Sequence, residues 1–320
     1  VWLPKANEVS QKLTELAHQD ADLGMLSRTH GQPATPTTLG KEIAVFAHRL
    51  NRQIARVENQ QYLGKFSGAT GTFAAHLSAK PETDWLAEGE GFVESLGLSF
   101  NSVTTQIESH DWQAELYQAI AHFNRVLHNL ATDIWTYISL SYFKQTPVAG
   151  ATGSSTMPHK INPIRFENAE ANLELSNAIF DSLNQTLVTS RLQRDLTDSS
   201  AQRNIGVAFG HSLLALDNIN RGLDELEVDR VSIRADLLDA WEVLAEAVQT
   251  VIRAEVAEGK SNIEDPYAML KELTRGKGID EDSLTGFIAG LDISQEAKDR
   301  LLLLKPENYV GLASQIARSV

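Results

Sequence analysis

Apolar residues recur at three- and four-residue spacings along most of this chain, the period of amphipathic helices. Val9, Leu13, Leu16 and Leu23 set one such face over 5–23. Thr35 reads as an N-cap with Pro36 at the first helical position, and Leu39, Ile43, Phe46, Leu50, Ile54 and Val57 carry that helix to about residue 60. Thr83 caps a short helix ending near Leu96. Leu116, Ile120, Phe123, Leu127, Leu130, Ile134 and Tyr137 predict a long helix over 110–142. Phe166, Ala169, Leu173, Ser176, Phe180, Leu183 and Leu187 alternate the two spacings over 163–190, as a coiled-coil seam does. Ile205, Phe209, Leu213, Leu216 and Leu223 mark one more helix, ending near Leu226. Between these runs, Pro33 and Pro36 make 29–36 an irregular loop. The Gly- and Ala-rich 65–79, a polar loop over 99–108 and a polar break over 191–199 are the other connections.

Long helices with few strand signals between them predict an all-α fold, an elongated bundle. Apolar content beyond a single stripe predicts further burial against identical subunits. From about residue 227 the texture changes. Asp265-Pro266, Gly276, Gly278, Asp280, Ser294 and Pro306 divide the chain into roughly five or six short helices. The expected organisation is a central bundle domain over 1–226 and a small helical C-terminal domain over 227–320.

Composition narrows the class. With 42% apolar and 22% charged residues the chain is ordinary globular protein. A net charge of −14 argues against a general nucleic-acid or membrane-surface binder, so an anionic ligand must be drawn by local Lys and Arg. The absence of cysteine excludes disulfides and thiolate metal sites and fits a cytoplasmic location. No run approaches the roughly 18 apolar residues of a membrane helix, and Val1-Trp2-Leu3-Pro4 is unlike a signal peptide.

The densest chemistry lies in Gly150-Ala-Thr-Gly-Ser-Ser-Thr-Met-Pro-His-Lys-Ile-Asn-Pro163. Gly150 and Gly153 free the backbone, Ser154 and Ser155 offer hydroxyls, Lys160 a charge. Asn162-Pro163 is a helix start, with Asn162 as N-cap. Such a segment running into a helix N-terminus is suited to an anion. Arg275-Gly-Lys-Gly278 reads instead as a helix C-terminus with a glycine stop.

The same string, Gly153-Ser-Ser-Thr-Met-Pro-His-Lys-Ile-Asn-Pro163, resembles the signature of the fumarase/aspartase superfamily. Ser27–Pro36, Thr104–Glu108, Asn162–Asn168, Ser190–Asp198, Trp241–Glu246 and Lys271–Lys277 together resemble its bacterial-type adenylosuccinate lyases, across essentially the whole chain. The resemblance implies elimination of fumarate from adenylosuccinate, giving AMP, and from succinyl-aminoimidazole carboxamide ribotide. It implies no cofactor. Elimination needs a base for the proton beside a carboxylate, an acid for the departing nitrogen, and donors for the developing aci-carboxylate. The resemblance places the acid at His30 and the base at Ser154. It gives substrate contacts to Gln106, Ser155, Lys160, Asn162, Asn168 and Ser199, and phosphate contacts to Arg194 and Arg203 in the same cluster as Ser199. The alternative for Arg194 and Arg203 is a salt-bridge set with Asp195 and Asp198. His110 and His159 are second-rank site candidates, Thr29 and Lys41 weaker ones, and Glu167 a carboxylate that orders the loop or lies on a helix face. His18, His48, His76, His122, His128 and His211 read as structural.

These positions are far apart in sequence. The resemblance implies a homotetramer whose sites are shared between subunits. It further implies a sizeable N-terminal region ahead of Val1, without which turnover is poor. Arg165 stands where close relatives carry an acidic residue. Sibling readings are argininosuccinate lyase and carboxymuconate cycloisomerase. A reading from another class is a catalytically silent helical scaffold.

Overall fold

A computed structural model describes residues 1–146, 157, 160–274 and 279–320. It is built from helices: α1 (Trp2–Gln19), α2 (Leu39–Glu58), α3 (Ala74–Ala79), α4 (Trp85–Ser95), α5 (Asp111–Ser139), α6 (Ile164–Leu187), α7 (Thr197–Ala201) and α8 (Ile205–Asp224). Six more follow: α9 (Arg230–Leu238), α10 (Ala245–Ala257), α11 (Pro266–Thr274), α12 (Glu281–Gly290), α13 (Gln295–Leu302) and α14 (Ala313–Ala317). Strands among the described residues are two or three residues long and pair only two by two, so the all-α expectation holds. Among the described residues no helix is long and apolar enough to cross a membrane.

The chain divides into two compact units. The first comprises 1–12, 48–136 and the described part of 147–225. Its core is α5, α6 and α8. Every residue of the predicted α6 seam, Phe166 through Leu187, is buried. α6 and α8 run antiparallel, since Ser176 donates to the Ala208 carbonyl, Asn172 meets His211, and Arg165 pairs with Glu225. Phe166 lies against Gly222, where any Cβ would sit 2.9 Å from its ring. On α8 the buried face is Ala208, Ser212, Ala215, Leu216 and Ile219, which shares only Leu216 with the predicted stripe. Small residues let this helix approach α6 closely, and that leaves Ile205, Phe209 and Leu213 half-exposed. Through the middle runs a buried polar chain. Trp2 donates to Ser212, Ser212 to Asn124, and Asn124 to both Ser176 and Asn177. Such a chain fixes one register, because any slip strands buried donors.

The second unit comprises 13–47, 137–146 and 226–320. Its core is Leu26 with Leu237, Leu244, Val248, Ile252, Leu284, Ile288 and Leu301. Caps set its helices. Asp229 accepts from Val231 and Ser232, Asp280 and Ser283 form a capping box, and Ser294 accepts from Ala297. α2 starts at Leu39, later than Pro36, because Thr37–Thr38 is extended and pairs with Gly24–Met25. Gly40 is forced, since a Cβ there would lie 2.3 Å from the Ala17 carbonyl oxygen. In the first unit, Asp84 and not Thr83 caps α4. α6 starts one residue later than expected, with Pro163 as the capping residue and no side-chain cap, so Asn162 is not the cap.

Candidate functional site

His30 belongs to the second unit and stands on a tight hairpin, not the irregular loop that the prolines suggest. Arg28–Thr29 pairs antiparallel with Gln32–Pro33, which leaves His30 and Gly31 as a two-residue turn. Both have positive φ, 54° and 74°, the pattern of a type I′ turn. The imidazole is exposed at the tip. Non-glycine residues at such angles are uncommon and concentrate where function demands them. The hairpin is anchored from behind. Arg28 Nη2 lies 2.5 Å from Asp236 Oδ2 on α9, and that carboxylate also accepts from the Tyr142 hydroxyl. Burial works against the Arg28 charge, but its bonds to Tyr142 and Asp236 outweigh this and raise its pKa. Burial, with the Asp236 bond, pushes the Tyr142 hydroxyl up to about 12. At the hairpin base Ser27 donates to the Thr35 carbonyl, and Thr35 to Glu246 on α10 at 2.5 Å. Thr29 is exposed on the hairpin, and the Lys41 ammonium is engaged by Glu42 at 3.1 Å.

The other described candidates are all in the first unit. Gln106 is exposed in a loop clamped by Lys65, whose ammonium donates to the carbonyls of Gly68, Thr105 and Gln106. Burial lowers the pKa of that lysine. Glu108 accepts from the His110 amide at 2.9 Å and from Asn101. His110 Nε2 then meets Asp198 Oδ2 at 3.2 Å. Ser199 and Arg203 follow directly, both exposed. Asp195 is occupied by Arg191 at 2.9 Å and by the Thr197 amide at 2.8 Å. Asp198 is occupied by His110. Hence the salt-bridge alternative fails. Among the described residues Arg194 and Arg203 have no ion-pair partner, and both guanidinia face solvent.

Lys160 and Asn162 are exposed just ahead of α6, with the Asn162 carbonyl accepting from Ile164. Asn168 sits in the first turns of α6 and accepts from Asn172 and Asn218 on Oδ1, so its own N–H groups face outward. Glu167 accepts from the Trp135 indole at 3.1 Å. Arg165 is held by Glu225 through Nε and Nη2, so it turns to α8. Ser154, Ser155, His159 and 275–278 lie outside the described residues.

The first unit does not gather these groups at one place. From Asn168 to Leu187 α6 rises about 28 Å at 1.5 Å per residue. Lys160, Asn162 and Asn168 lie at its start. Gln106, His110, Ser199 and Arg203 lie at the other end, since Tyr117 near the start of α5 stacks on Phe180 near the end of α6, and Phe209 joins them. The sequence carries no signal for Asp236, 208 residues from Arg28. Its reading also leaves His110 and Asp198 unconnected. Among the described residues no group of three or more His, Cys, Asp or Glu could hold a metal ion.

Residues 1–176 match the family model described as lyase, and residues 190–310 the one described as adenylosuccinate lyase C-terminal. Adenylosuccinate lyase of Legionella pneumophila (strain Corby) is 50% identical over 316 residues, 99% of this chain and 68% of that protein. Adenylosuccinate lyase of Escherichia coli (strain K12) is 49% identical over 313 residues, 98% of this chain and 67% of that protein. Among solved structures, the 3-carboxy-cis,cis-muconate lactonizing enzyme of Pseudomonas putida superimposes with a TM-score of 0.74 at 22% identity, over 98% of this chain and 69% of that one. Fumarate lyase of Mesorhizobium sp. BNC1 gives 0.72 at 22% identity, over 98% of this chain and 70% of that one. At that identity the two structures speak for the fold alone. With about half its residues identical along nearly its whole length, this chain belongs to the adenylosuccinate lyase family of the fumarase/aspartase superfamily.

Proposed function

We propose that this chain supplies the acid, the base and the anion contacts for elimination of fumarate from adenylosuccinate, leaving AMP, and for the analogous cleavage of succinyl-aminoimidazole carboxamide ribotide. The observation that carries the site reading is the pair Arg194 and Arg203. Their neighbouring carboxylates are consumed by Arg191 and His110, so both guanidinia stand ready for a phosphate. Ser199 adds a hydroxyl beside them.

His30 protonates the departing nitrogen. The hairpin tip presents its imidazole without competing hydrogen bonds among the described residues. Ser154 takes the proton from the carbon beside the carboxylate, the pair of electrons forms the carbon–carbon double bond, and the carbon–nitrogen bond breaks. Lys160 and Asn162, with Ser155, hold the succinyl carboxylates, the lysine as charge and the asparagine as donor. Gln106 and the outward N–H groups of Asn168 complete the contacts. The steps move protons between side chains and substrate and call on no metal or organic cofactor.

Asn218 meets Asn168, and Arg203 lies fifteen residues earlier in the chain, roughly 22 Å away at about 1.5 Å per residue, a long reach for contacts of one chain to a single nucleotide. A working site therefore draws its two ends from different copies of the chain, in a homotetramer of the closed symmetry common to soluble oligomers. The cysteine-free chain suits the cytoplasm.

The test follows loss of adenylosuccinate by absorbance, in the enzyme and in His30→Ala, with argininosuccinate as the competing substrate. The reading expects adenylosuccinate turnover that falls by about 10²–10⁴ in the variant. Turnover of argininosuccinate alone, or a fully active His30→Ala, overturns it.

A further inference from the structure

The contact between His110 and Asp198 joins parts of the chain 88 residues apart. One is the loop that carries Gln106. The other is the short helix α7, followed by a single 3-10 turn, Gln202–Asn204, that carries Arg203. Three features mark this contact. His110 has a left-handed backbone, φ 63°, uncommon for a residue other than glycine. Buried Glu108 accepts the His110 amide proton at 2.9 Å. The His110 and Asp198 side chains are mostly buried, 15% and 10% exposed, so solvent screens their contact little. Asp198 Oδ1 is buried and without a hydrogen-bond partner among the described residues, so the carboxylate is not placed there for its own satisfaction.

The chemistry fixes the direction of the bond. A carboxylate accepts, so His110 Nε2 carries the proton and donates to Asp198. Gln202 Nε2 lies 3.2 Å from the same nitrogen, and two donors cannot face each other. The Gln202 amide is therefore turned, with its oxygen toward the ring. The imidazole thus grips α7 at Asp198 and the following turn at Gln202, the residues before Ser199 and before Arg203.

We propose that His110 is a positioning residue, which through Asp198 and Gln202 sets Ser199 and Arg203 at a fixed distance from Gln106 for a nucleotide phosphate. This rests on the reading of Ser199 and Arg203 as phosphate contacts. Neither His110 nor Asp198 touches the ligand. Their role is to hold two loops in register, so that the phosphate half of the site is built before the ligand arrives.

The experiment measures AMP affinity by calorimetry and fumarate inhibition by kinetics in the intact enzyme. The variants are His110→Ala, His110→Gln, Asp198→Asn, the double variant His110→Ala/Asp198→Asn, and Arg203→Ala, each with its melting temperature. His110→Ala and Asp198→Asn weaken AMP about tenfold while the fumarate inhibition constant stays within twofold. His110→Gln, which can still donate to Asp198, retains most of the affinity. The double variant is no weaker than the poorer single one, because both remove the same contact. A fall in melting temperature with AMP affinity intact in His110→Ala, while Arg203→Ala loses it, overturns the positioning role and leaves the phosphate reading standing. Intact AMP affinity in Arg203→Ala overturns the phosphate reading, and the positioning role with it.

Discussion

Asp236→Ala removes the carboxylate behind the His30 hairpin. Arg28 then loses its ion-pair partner at 2.5 Å while its Nε is already buried without an acceptor among the described residues. The Tyr142 hydroxyl, on a side chain 2% exposed, loses its acceptor as well. Stranding a charge in a fully buried pair costs about 3–5 kcal/mol, and an exposed pair contributes about 0–1. Arg28 and Asp236 are 27% and 35% exposed, so solvent screening places the ion pair between these limits, at about 2 kcal/mol. The orphaned tyrosine adds about 1 kcal/mol. A loss of about 3 kcal/mol in the second unit lowers the melting temperature by several degrees. The catalytic consequence is larger than the stability loss suggests. The type I′ turn holds His30 in place only while its strands are anchored, and a shift of about 1 Å at a reacting group costs about 10² in rate. kcat for adenylosuccinate should therefore fall about a hundredfold, with Asp236→Asn intermediate because it keeps one acceptor oxygen. Melting temperature and kcat are measured side by side. A lowered melting temperature with kcat unchanged within twofold refutes the argument that the anchor positions the acid.

Three further outcomes follow from the geometry. The amide and hydroxyl of Thr197, with Arg191, hold the Asp195 carboxyl down to about 2, so its contribution to stability is full above the ordinary carboxylate range and is lost as pH falls from about 4 toward 2. The difference in melting temperature between the protein and Asp195→Asn should shrink over that window, and a constant difference contradicts it. Gly71 has φ 73° and its Cβ would lie 2.1 Å from the Thr104 carbonyl oxygen, whereas Gly97 has φ 77° with open space around it. Gly71→Ala should cost about 3 kcal/mol in denaturant unfolding and Gly97→Ala about 1, and equal costs would show that the close approach beside Gln106 is not rigid. Arg194→Ala and Arg203→Ala should each raise KM for adenylosuccinate tenfold or more with a smaller change in kcat, since each removes a charge-assisted bond worth about 1.5–3 kcal/mol; a KM within twofold contradicts the phosphate role.

The helical architecture was legible because its signal is local. The α6 seam falls on buried residues at every position, since a repeat of three and four fixes one face wherever the partner helix lies. α8 misled because its large residues are not its tightest ones. Its contact with α6 depends on Ala208, Ser212 and Gly222, whose small size registers as weak hydrophobicity in a periodicity reading. The start of α2 misled because Thr37–Thr38 finds a strand partner in Gly24–Met25, and pairing outweighed a favourable capping dipeptide. At the candidate site the motifs could be read from the sequence, but the contacts between their residues could not. His30 and Arg203 stand out by their neighbours in sequence, but Asp236 behind the hairpin and Asp198 beneath His110 are joined only by folding. The separation of Asn168 from Arg203 was foreshadowed only as a wide spacing in sequence.

That separation sets the measurement that bears most directly on the account. Lys160→Ala and Arg203→Ala are purified as inactive proteins, mixed, dissociated and reassociated, and adenylosuccinate cleavage is followed in the hybrids. If the two ends of the site come from different copies, some sites in each hybrid hold neither substitution, and activity returns to a sizeable fraction of that of the unsubstituted enzyme. Hybrids shown to have formed that remain as inactive as their parents would place both residues of each site in one chain and contradict the shared-site account.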